Sequence, residues 1–305
     1  MFFNLVSNDG EEMQRIARNF FSENWDHFAA GTGKYLKDWP VAEPIDRQRA
    51  LFQLLELMVG TLFTSEGHVE LITKMSNFLA GLAAKSRPAL LGFVDDALSQ
   101  HYLSESRQTL VEIILRFLER ADDFRSVLPF WNPADPDAVF PSDLTVTAPR
   151  SFHELKSLYV DAYEAVARAL TVVSALANLD VRGHHDNYLT HPILGKKFAP
   201  QSMGEFHKKS HAPKLAYLAE LPWLERWILP ALEPKLRNAI GHNSSRYDAT
   251  TGDIEYQLDG ASGFKSISYG DFLFSLLRLV RSALQLAHLM KQLYVHHYFR
   301  NRELA

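Results

Sequence analysis

Hydrophobic and polar residues in the first half of the chain follow the periodicity of amphipathic helices. Between Asp46 and Phe63, leucines and Met58 recur at steps of three and four residues, which places them on one helix face. Further helices are predicted over Glu11–Phe28, Glu66–Ala84 and Ser104–Val127, the last with Ser104 as its N-cap. This half therefore indicates a helical domain whose role the pattern does not reveal.

The helical pattern is interrupted by five prolines between Pro129 and Arg150. A helix cannot continue through prolines at that spacing, because each one removes a backbone N–H and clashes with the preceding turn. We therefore predict two domains, a helical N-terminal domain at 1–128 and a second domain at 151–305, joined by a proline-rich linker at 129–150. The alternative is a long internal loop within one domain.

Helical periodicity resumes in the second half, with a short β-hairpin inserted. Helices are predicted over Ser151–Asn178, Pro222–Gly241 and Gly270–Phe299, with Ser151 and Ser268 as the caps of the first and the last. Alternating residues on either side of Thr251, Gly252 and Asp253 predict a hairpin. The predicted fold class is all-α, with two helical domains and a small β-hairpin insertion in the C-terminal helical bundle.

Composition narrows the classes of function. The chain has 305 residues, 47% of them hydrophobic, and a formal net charge of −4, so contact with nucleic acid needs a local basic patch. It has no cysteine, which excludes disulfides, thiolate zinc sites and cysteine nucleophiles. The sequence also shows no charge-free apolar run of membrane-spanning length and no signal-peptide pattern after Met1. These features predict a soluble, cytoplasmic protein without a membrane partner.

One segment carries residue types suited to metal-independent RNA cleavage. Arg237 and Asn238 are followed, after three more residues, by His242. Histidine transfers protons near neutral pH, arginine offers a planar fork to phosphate oxygens, and asparagine orients either group by hydrogen bonds. Such groups can activate the ribose 2′-OH and stabilise the charge that develops on the phosphate. The alternative is an ordinary helix end, where the helix dipole favours cations.

This segment resembles the active-site signature of the HEPN family, which reads arginine, a polar residue, three variable positions and histidine. The resemblance covers roughly residues 150–305 and includes the long predicted helices on both sides of the motif. It implies an RNA endonuclease of toxin or phage-defence type that uses no cofactor and leaves a 2′,3′-cyclic phosphate. Arg237 would then bind the scissile phosphate, His242 would transfer protons and Asn238 would orient. Within the family, the alternative is a catalytically inactive module that binds nucleotides or partners.

Regular helix geometry does not bring the two motif cations together. Arg237 and His242 are five residues apart, which is about 140° around a helix. Either Gly241 ends or distorts the helix before the histidine, or a second copy of the chain supplies the missing group. HEPN domains typically dimerise with their motifs facing each other, so the resemblance implies a homodimer. Leu236 and Ile240 are candidates for its seam, and an antitoxin or regulatory protein is a further expected partner.

A basic stretch before the motif is a candidate surface for gripping RNA. The candidate RNA-binding residues are Lys208, Lys209, Lys214 and Arg246. A solvated loop is an equally favoured alternative. His207 and His211 have the spacing of helical metal ligands, but the neighbouring lysines oppose a dication and no metal is expected. On the first helix of this half, Asp161 and Glu164 are candidates to brace Arg237, or else belong to a solvated face.

Overall fold

A computed structural model of the chain shows a mostly helical protein with one small sheet. It describes residues 2–63, 66–133, 135, 138–142, 144, 146, 152–188, 200–218, 228–241, 245–248, 250–257 and 264–300. The helices of the first half are α1 (Phe2–Phe21), α2 (Trp25–Thr32), α3 (Pro44–Phe63), α4 (Glu66–Ser99) and α5 (Tyr102–Glu119). The second half contains α6 (Phe152–Arg182), α7 (Met203–His207), α8 (His211–Leu218), α9 (Pro234–Gly241), β1 (Ser245–Asp248), β2 (Asp253–Gln257), β3 (Phe264–Ser268) and α10 (Tyr269–Arg300).

Helices occur where the first half predicted them, but two of the predicted boundaries are wrong. The single helix expected over Glu11–Phe28 is divided into α1 and α2, because Glu23 adopts a left-handed conformation with φ of 58° and breaks the helix. Helix α5 begins after His101, which is also left-handed, with φ of 63°. Ser104 is therefore not the N-cap. It lies inside the first turn, where its hydroxyl donates to the His101 carbonyl at 3.1 Å.

The two longest predictions of the first half also differ in detail. Helix α4 continues well beyond its predicted end, and it is kinked at Ser86, whose backbone is non-helical and lies close to Pro88. Helix α5 stops at Glu119 instead of reaching Val127. The chain goes on as two short 3₁₀ helices, Ala121–Phe124 and Leu128–Phe130, whose tighter turns carry it toward the proline-rich segment.

The described residues of the proline-rich segment pack against the body of the protein. The Trp131 indole donates to the carbonyl of Leu62 at 3.1 Å, and its ring meets Phe274 of α10 edge-on. Phe140 is 4% exposed, and its backbone N–H donates to the Asp271 carboxylate at 3.0 Å. In these places the segment resembles the packed internal loop of the alternative interpretation more than an exposed linker.

Helix α6 confirms the first long helix predicted for the second half, although its proposed cap Ser151 lies outside the described residues. The helix predicted over Pro222–Gly241 is wrong in its later part. Residues 219–227 are not described, and beyond them the chain forms a 3₁₀ helix at Leu229–Ala231 before α9 starts at Pro234. The cause is Pro230 and Pro234, which cannot lie in a helix interior but are favoured in a first turn.

The predicted hairpin is confirmed, and it belongs to a three-stranded antiparallel sheet in the order β1, β2, β3. Gly252 has a φ of 77° in the turn, a conformation that favours glycine. Ile254 on β2 pairs with Tyr247 of β1 and Ile267 of β3, and it is completely buried. Strand β3 was not predicted. At its end Ser268 caps α10 as expected, accepting from the Asp271 N–H at 3.0 Å.

Both halves of the chain contribute to one hydrophobic core. Helix α5 packs against α6 and α10, and α4 packs against α5, α6 and α10. Buried apolar residues from α1 to α10 belong to one contiguous cluster. The division into domains at 1–128 and 151–305 stays a prediction, and the packing across that boundary is the packing of a shared core.

Helix α10 is the one described helix that is long and apolar enough to cross a membrane. In its most apolar 18-residue window, however, 94% of the residues are buried inside the protein. Arg281, Gln285 and His288 also lie on it and are buried within the core. This burial is typical of the central helix of a soluble protein, and the cytoplasmic location stays a prediction.

Candidate active site

Helix α9 presents the first two residues of the motif at the protein surface. Pro234 occupies the first turn, and the Arg237 N–H donates to the Glu233 carbonyl at 3.0 Å. The apolar residues of α9 face inward against α6, so Arg237 and Asn238 lie on the half-buried side. The Arg237 side chain is 23% exposed, and its Nη1 donates to Asn238 Oδ1 at 3.3 Å.

Glu164 of α6 holds the Arg237 guanidinium in an ion pair through Nη2. The expectation that an acidic residue of this helix braces Arg237 is thereby confirmed for Glu164. It is wrong for Asp161, which lies one turn earlier and forms an ion pair with Arg116 of α5 at 2.7 Å. Arg237 is therefore an oriented group, unlike the solvated cation of an ordinary helix end.

The second carboxylate oxygen of Glu164 contacts His211 of α8. His211 Nε2 lies 3.3 Å from Glu164 Oε2, and the imidazole packs against the Tyr163 ring at 5.3 Å between centroids. Burial lowers the pKa of His211, Lys214 and Arg237 lower it further, and the Glu164 carboxylate opposes them. Glu164 thus joins a guanidinium and a titratable imidazole on one surface.

Lys214 lies close to this carboxylate but is buried rather than exposed. It is 2% exposed, and its ammonium donates to the His207 carbonyl at 2.7 Å. Burial lowers the pKa of Lys214 from its usual 10.5 to about 8, while Glu164 acts in the opposite direction. Lys214 therefore cannot touch an RNA backbone in this conformation. We call Glu164, His211, Lys214 and Arg237 the Glu164 cluster.

The other candidate RNA-binding residues are nearer to solvent. Lys208 is exposed and Lys209 half-buried, immediately after α7. Arg246 is exposed on β1, where its Nε lies 2.5 Å from Glu255 of the neighbouring strand and its guanidinium covers the Phe264 ring. Their assignment to RNA binding stays a prediction.

His242 and the two residues after it lie outside the described residues. The helix preceding it continues through Gly241, which is helical rather than left-handed. A Cβ at position 241 would lie 3.7 Å from Arg237 Nη1, so the guanidinium extends along α9 toward its C-terminal end. The side chain of Arg237 thus reaches Gly241, the last described residue before His242.

The proposed dimer seam is not available on α9. Leu236 is 1% exposed and Ile240 is 2% exposed, because both residues pack into the protomer's own core. Their apolar surface is already used in folding one chain, and a dimer interface here would need different residues.

His207 and His211 also do not form a pair of metal ligands. They lie on separate short helices, α7 and α8, and His207 Nδ1 contacts the Thr171 hydroxyl at 3.2 Å while His211 contacts Glu164. The part of the chain that the structure describes contains no group of three or more histidine, aspartate or glutamate side chains arranged to hold a metal ion.

Sequence patterns missed the role of His211 in this site, since they singled it out only as a possible metal ligand four residues after His207 and not as a neighbour of Arg237. Its partner Glu164 is far away along the chain, and no spacing rule links residues on two different helices. No protein-family model matches the chain, and no curated protein or solved structure matches it either. The Glu164 cluster therefore has to be interpreted from its own chemistry.

Proposed function

We propose that this protein is a metal-independent RNA endonuclease of HEPN type, acting in a toxin or defence role in the cytoplasm. The observation that supports this best is the Glu164 carboxylate, which contacts Arg237 on one side and His211 on the other. It orients a phosphate-binding cation beside a group that can transfer protons, close to the end of α9 where His242 follows. An ordinary helix end needs no such arrangement.

The proposed reaction starts with attack of the ribose 2′-OH on the adjacent phosphorus, which expels the 5′-oxygen and leaves a 2′,3′-cyclic phosphate. Arg237 binds the non-bridging phosphate oxygens, since a guanidinium has several N–H donors and its ion pair with Glu164 occupies only some of them. His242 transfers protons and Asn238 orients the reacting groups. Lys208, Lys209 and Arg246 supply charge for the RNA backbone on either side.

Cleavage needs both a base for the 2′-OH and an acid for the leaving oxygen. In our proposal a homodimer brings two copies of the motif together and provides both. His211 offers a second source, because it places another imidazole near Arg237 within the same chain. Mixing Arg237→Ala subunits with His242→Ala subunits separates the two cases: recovery of activity indicates a site shared between chains, and full activity of a monomer indicates a site within one chain.

The direct test uses purified full-length protein and single-stranded RNA in excess EDTA. We expect fragments that end in a 2′,3′-cyclic phosphate. The matched control is the same RNA with a 2′-deoxy nucleotide at the cut position, which should resist cleavage because it lacks the nucleophile. Cleavage of the deoxy control, or cleavage only after Mg²⁺ or Mn²⁺ is added, would contradict the mechanism.

The second candidate function is a catalytically inactive HEPN-like module that binds nucleotides, RNA or a regulatory partner such as an antitoxin. The same ion pair favours it, because Glu164 offsets part of the positive charge with which Arg237 would stabilise a transition state. In that case the protein should bind RNA without producing fragments, and His242→Ala should leave the affinity nearly unchanged. Arg237→Ala should weaken it.

A further inference from the structure

A cavity of about 610 Å³ lies between helices of the first half and α10. Its volume falls within the range of roughly 300–1,000 Å³ that is usual for small-ligand sites. The lining combines polar and charged side chains with five aromatic rings, those of Phe20, Phe21, Trp25, Tyr294 and Tyr298. It shares no lining residue with the Glu164 cluster, so its function is a separate question.

Arg107 of α5 lines this cavity and is an unusual residue to find there. It is 9% exposed, and its guanidinium lies 4.0 Å from the centre of the Tyr294 ring and 5.4 Å from that of Phe20. Its Nε and Nη1 are buried and have no hydrogen-bond partner within the described part of the chain. Burial also lowers the pKa of Arg107. A buried guanidinium normally has a carboxylate or several carbonyl partners, because leaving it unpaired is costly.

The charges around the cavity do not compensate Arg107. Arg47 adds a second cation, which lies 4.3 Å above the Trp25 ring and donates to backbone carbonyls of the α2–α3 connection. His297 Nδ1 lies 3.2 Å from a carboxylate oxygen of Asp95. Glu23 is the acidic residue among those lining the cavity, and it is exposed. The site therefore combines aromatic faces with a positive charge for which the described part of the chain supplies no counter-ion.

We infer that this cavity binds a small ligand with an anionic group attached to a planar ring, of about the size of a mononucleotide. The guanidinium of Arg107 offers hydrogen bonds and charge to a phosphate or carboxylate. The surrounding rings offer faces on which a planar group can stack. Bound ligand would supply the counter-ion that the described residues do not provide for Arg107.

The test is isothermal titration of the full-length protein with AMP and with indole-3-acetate, which carry a phosphate and a carboxylate on planar frameworks. Saturable binding of either probe is expected, and the stronger of the two identifies the anionic group. Adenosine and inorganic phosphate each lack one half of the required chemistry and should bind at least about tenfold more weakly than AMP. Failure of both probes to bind saturably at millimolar concentration would overturn the inference, and so would saturable binding of AMP that adenosine matches.

Variants connect the binding to Arg107. Arg107→Met keeps most of the side-chain volume without the charge, and it should weaken binding of the preferred probe at least about tenfold. Arg49→Met is the matched control, because Arg49 lies on α3 outside the cavity and pairs only loosely with Asp46 at 3.9 Å. It should bind like the unmodified protein. Equal affinity in Arg107→Met and Arg49→Met would overturn the assignment.

A second variant keeps the test decisive if Arg107→Met does not fold. Ser104 lines the same cavity and lies one helical turn before Arg107 on α5. Ser104→Glu places a carboxylate near the guanidinium and should supply the missing counter-ion from within the chain. Affinity for the preferred probe should fall at least about tenfold while the melting temperature is kept or rises. Undiminished binding by Ser104→Glu would contradict a role for the Arg107 charge.

Discussion

Arg237 and Arg107 are two arginines on helices of this protein, and they differ in burial and in the groups that surround the guanidinium. Arg237 is half-buried and forms an ion pair with Glu164, which also contacts His211. Arg107 is 9% exposed, lies over the Tyr294 ring and has no ion pair among the described residues. The first cation is oriented by a carboxylate at the surface, whereas the second is surrounded by aromatic rings in a cavity.

The two kinds of surroundings suit a buried or half-buried charge to two different functions. A carboxylate fixes the direction of a guanidinium and keeps it charged, which suits a group that must meet a phosphate in a reaction. Aromatic rings stabilise a desolvated cation by only about 2 kcal/mol and leave its N–H donors free, which suits a site that binds an anion.

The largest effect is expected at the motif itself. His242→Ala should lower RNA cleavage by roughly 10²–10⁴-fold, because it removes the group proposed to transfer protons. Thermal stability should change little, since the sequence places His242 just after a helix end. Single-turnover cleavage and a melting curve measure the two quantities. Loss of folding with unchanged specific activity of the folded fraction would make His242 a structural residue.

The variant Arg237→Lys keeps the positive charge but not the planar fork of N–H donors, and it should also lose most of the cleavage activity.

Removal of the bridging carboxylate should have the next largest effect. Glu164→Gln should reduce cleavage by roughly 10²-fold, because Arg237 and His211 both lose the group that orients them. It should also lower the pKa of His211 further, since Glu164 is the group that opposes the effect of burial. Any limb of the pH–rate profile that belongs to His211 should therefore shift to lower pH.

The matched control for Glu164→Gln is Asp161→Asn. Asp161 lies on the same helix one turn earlier and also forms an ion pair with an arginine, Arg116, although that pair is more exposed to solvent than the pair of Glu164 with Arg237. Both variants should cost no more than about 1 kcal/mol in stability, as partly exposed ion pairs do. Cleavage and pH profile should change only in Glu164→Gln. Equal changes in both variants would argue that Glu164 has a purely structural role.

The buried Lys214 should make the stability of the protein depend on pH. Its pKa is about 8 in the folded protein and 10.5 when unperturbed, so protonation is less favourable in the folded state than in the unfolded state. The free energy of unfolding should therefore fall by about 2 kcal/mol as the pH falls from 10 to 8, because the unfolded state takes up the Lys214 proton more readily than the folded state. Lys214→Met should remove this dependence, as measured by urea unfolding of both proteins at several pH values. Tyrosine ionisation limits the useful window to below pH 10. Parallel curves would contradict the buried, destabilised ammonium.

The smallest effect compares the two arginines directly. Arg237→Met removes the ion-pair partner of Glu164 and should destabilise the protein by about 1 kcal/mol. Arg107→Met leaves no carboxylate behind, so it should be neutral or stabilising by about 1 kcal/mol in the absence of ligand. Urea unfolding of the two variants measures the difference. Equal destabilisation by both would mean that Arg107 is held by interactions as favourable as an ion pair.

Local patterns in the sequence were sufficient for most helices and for the hairpin. Apolar residues at three- and four-residue steps predicted α3, and Ser268 predicted the start of α10, because both signals act within one turn. The predictions were wrong at Glu23 and at Pro230 with Pro234, where one backbone conformation or one ring ends a helix. They also missed β3, which is identified by its pairing with β2 rather than by its own residues.

For the site, sequence patterns were enough to identify the motif of Arg237, Asn238 and His242 and the residue types from which a reaction can be proposed. The tertiary structure decided that Glu164 and not Asp161 pairs with Arg237, that His211 joins them, and that Lys214 is buried. These contacts depend on how α6, α8 and α9 rotate and pack against one another. Helix periodicity places a residue on a face of its own helix, but only packing chooses which face meets which.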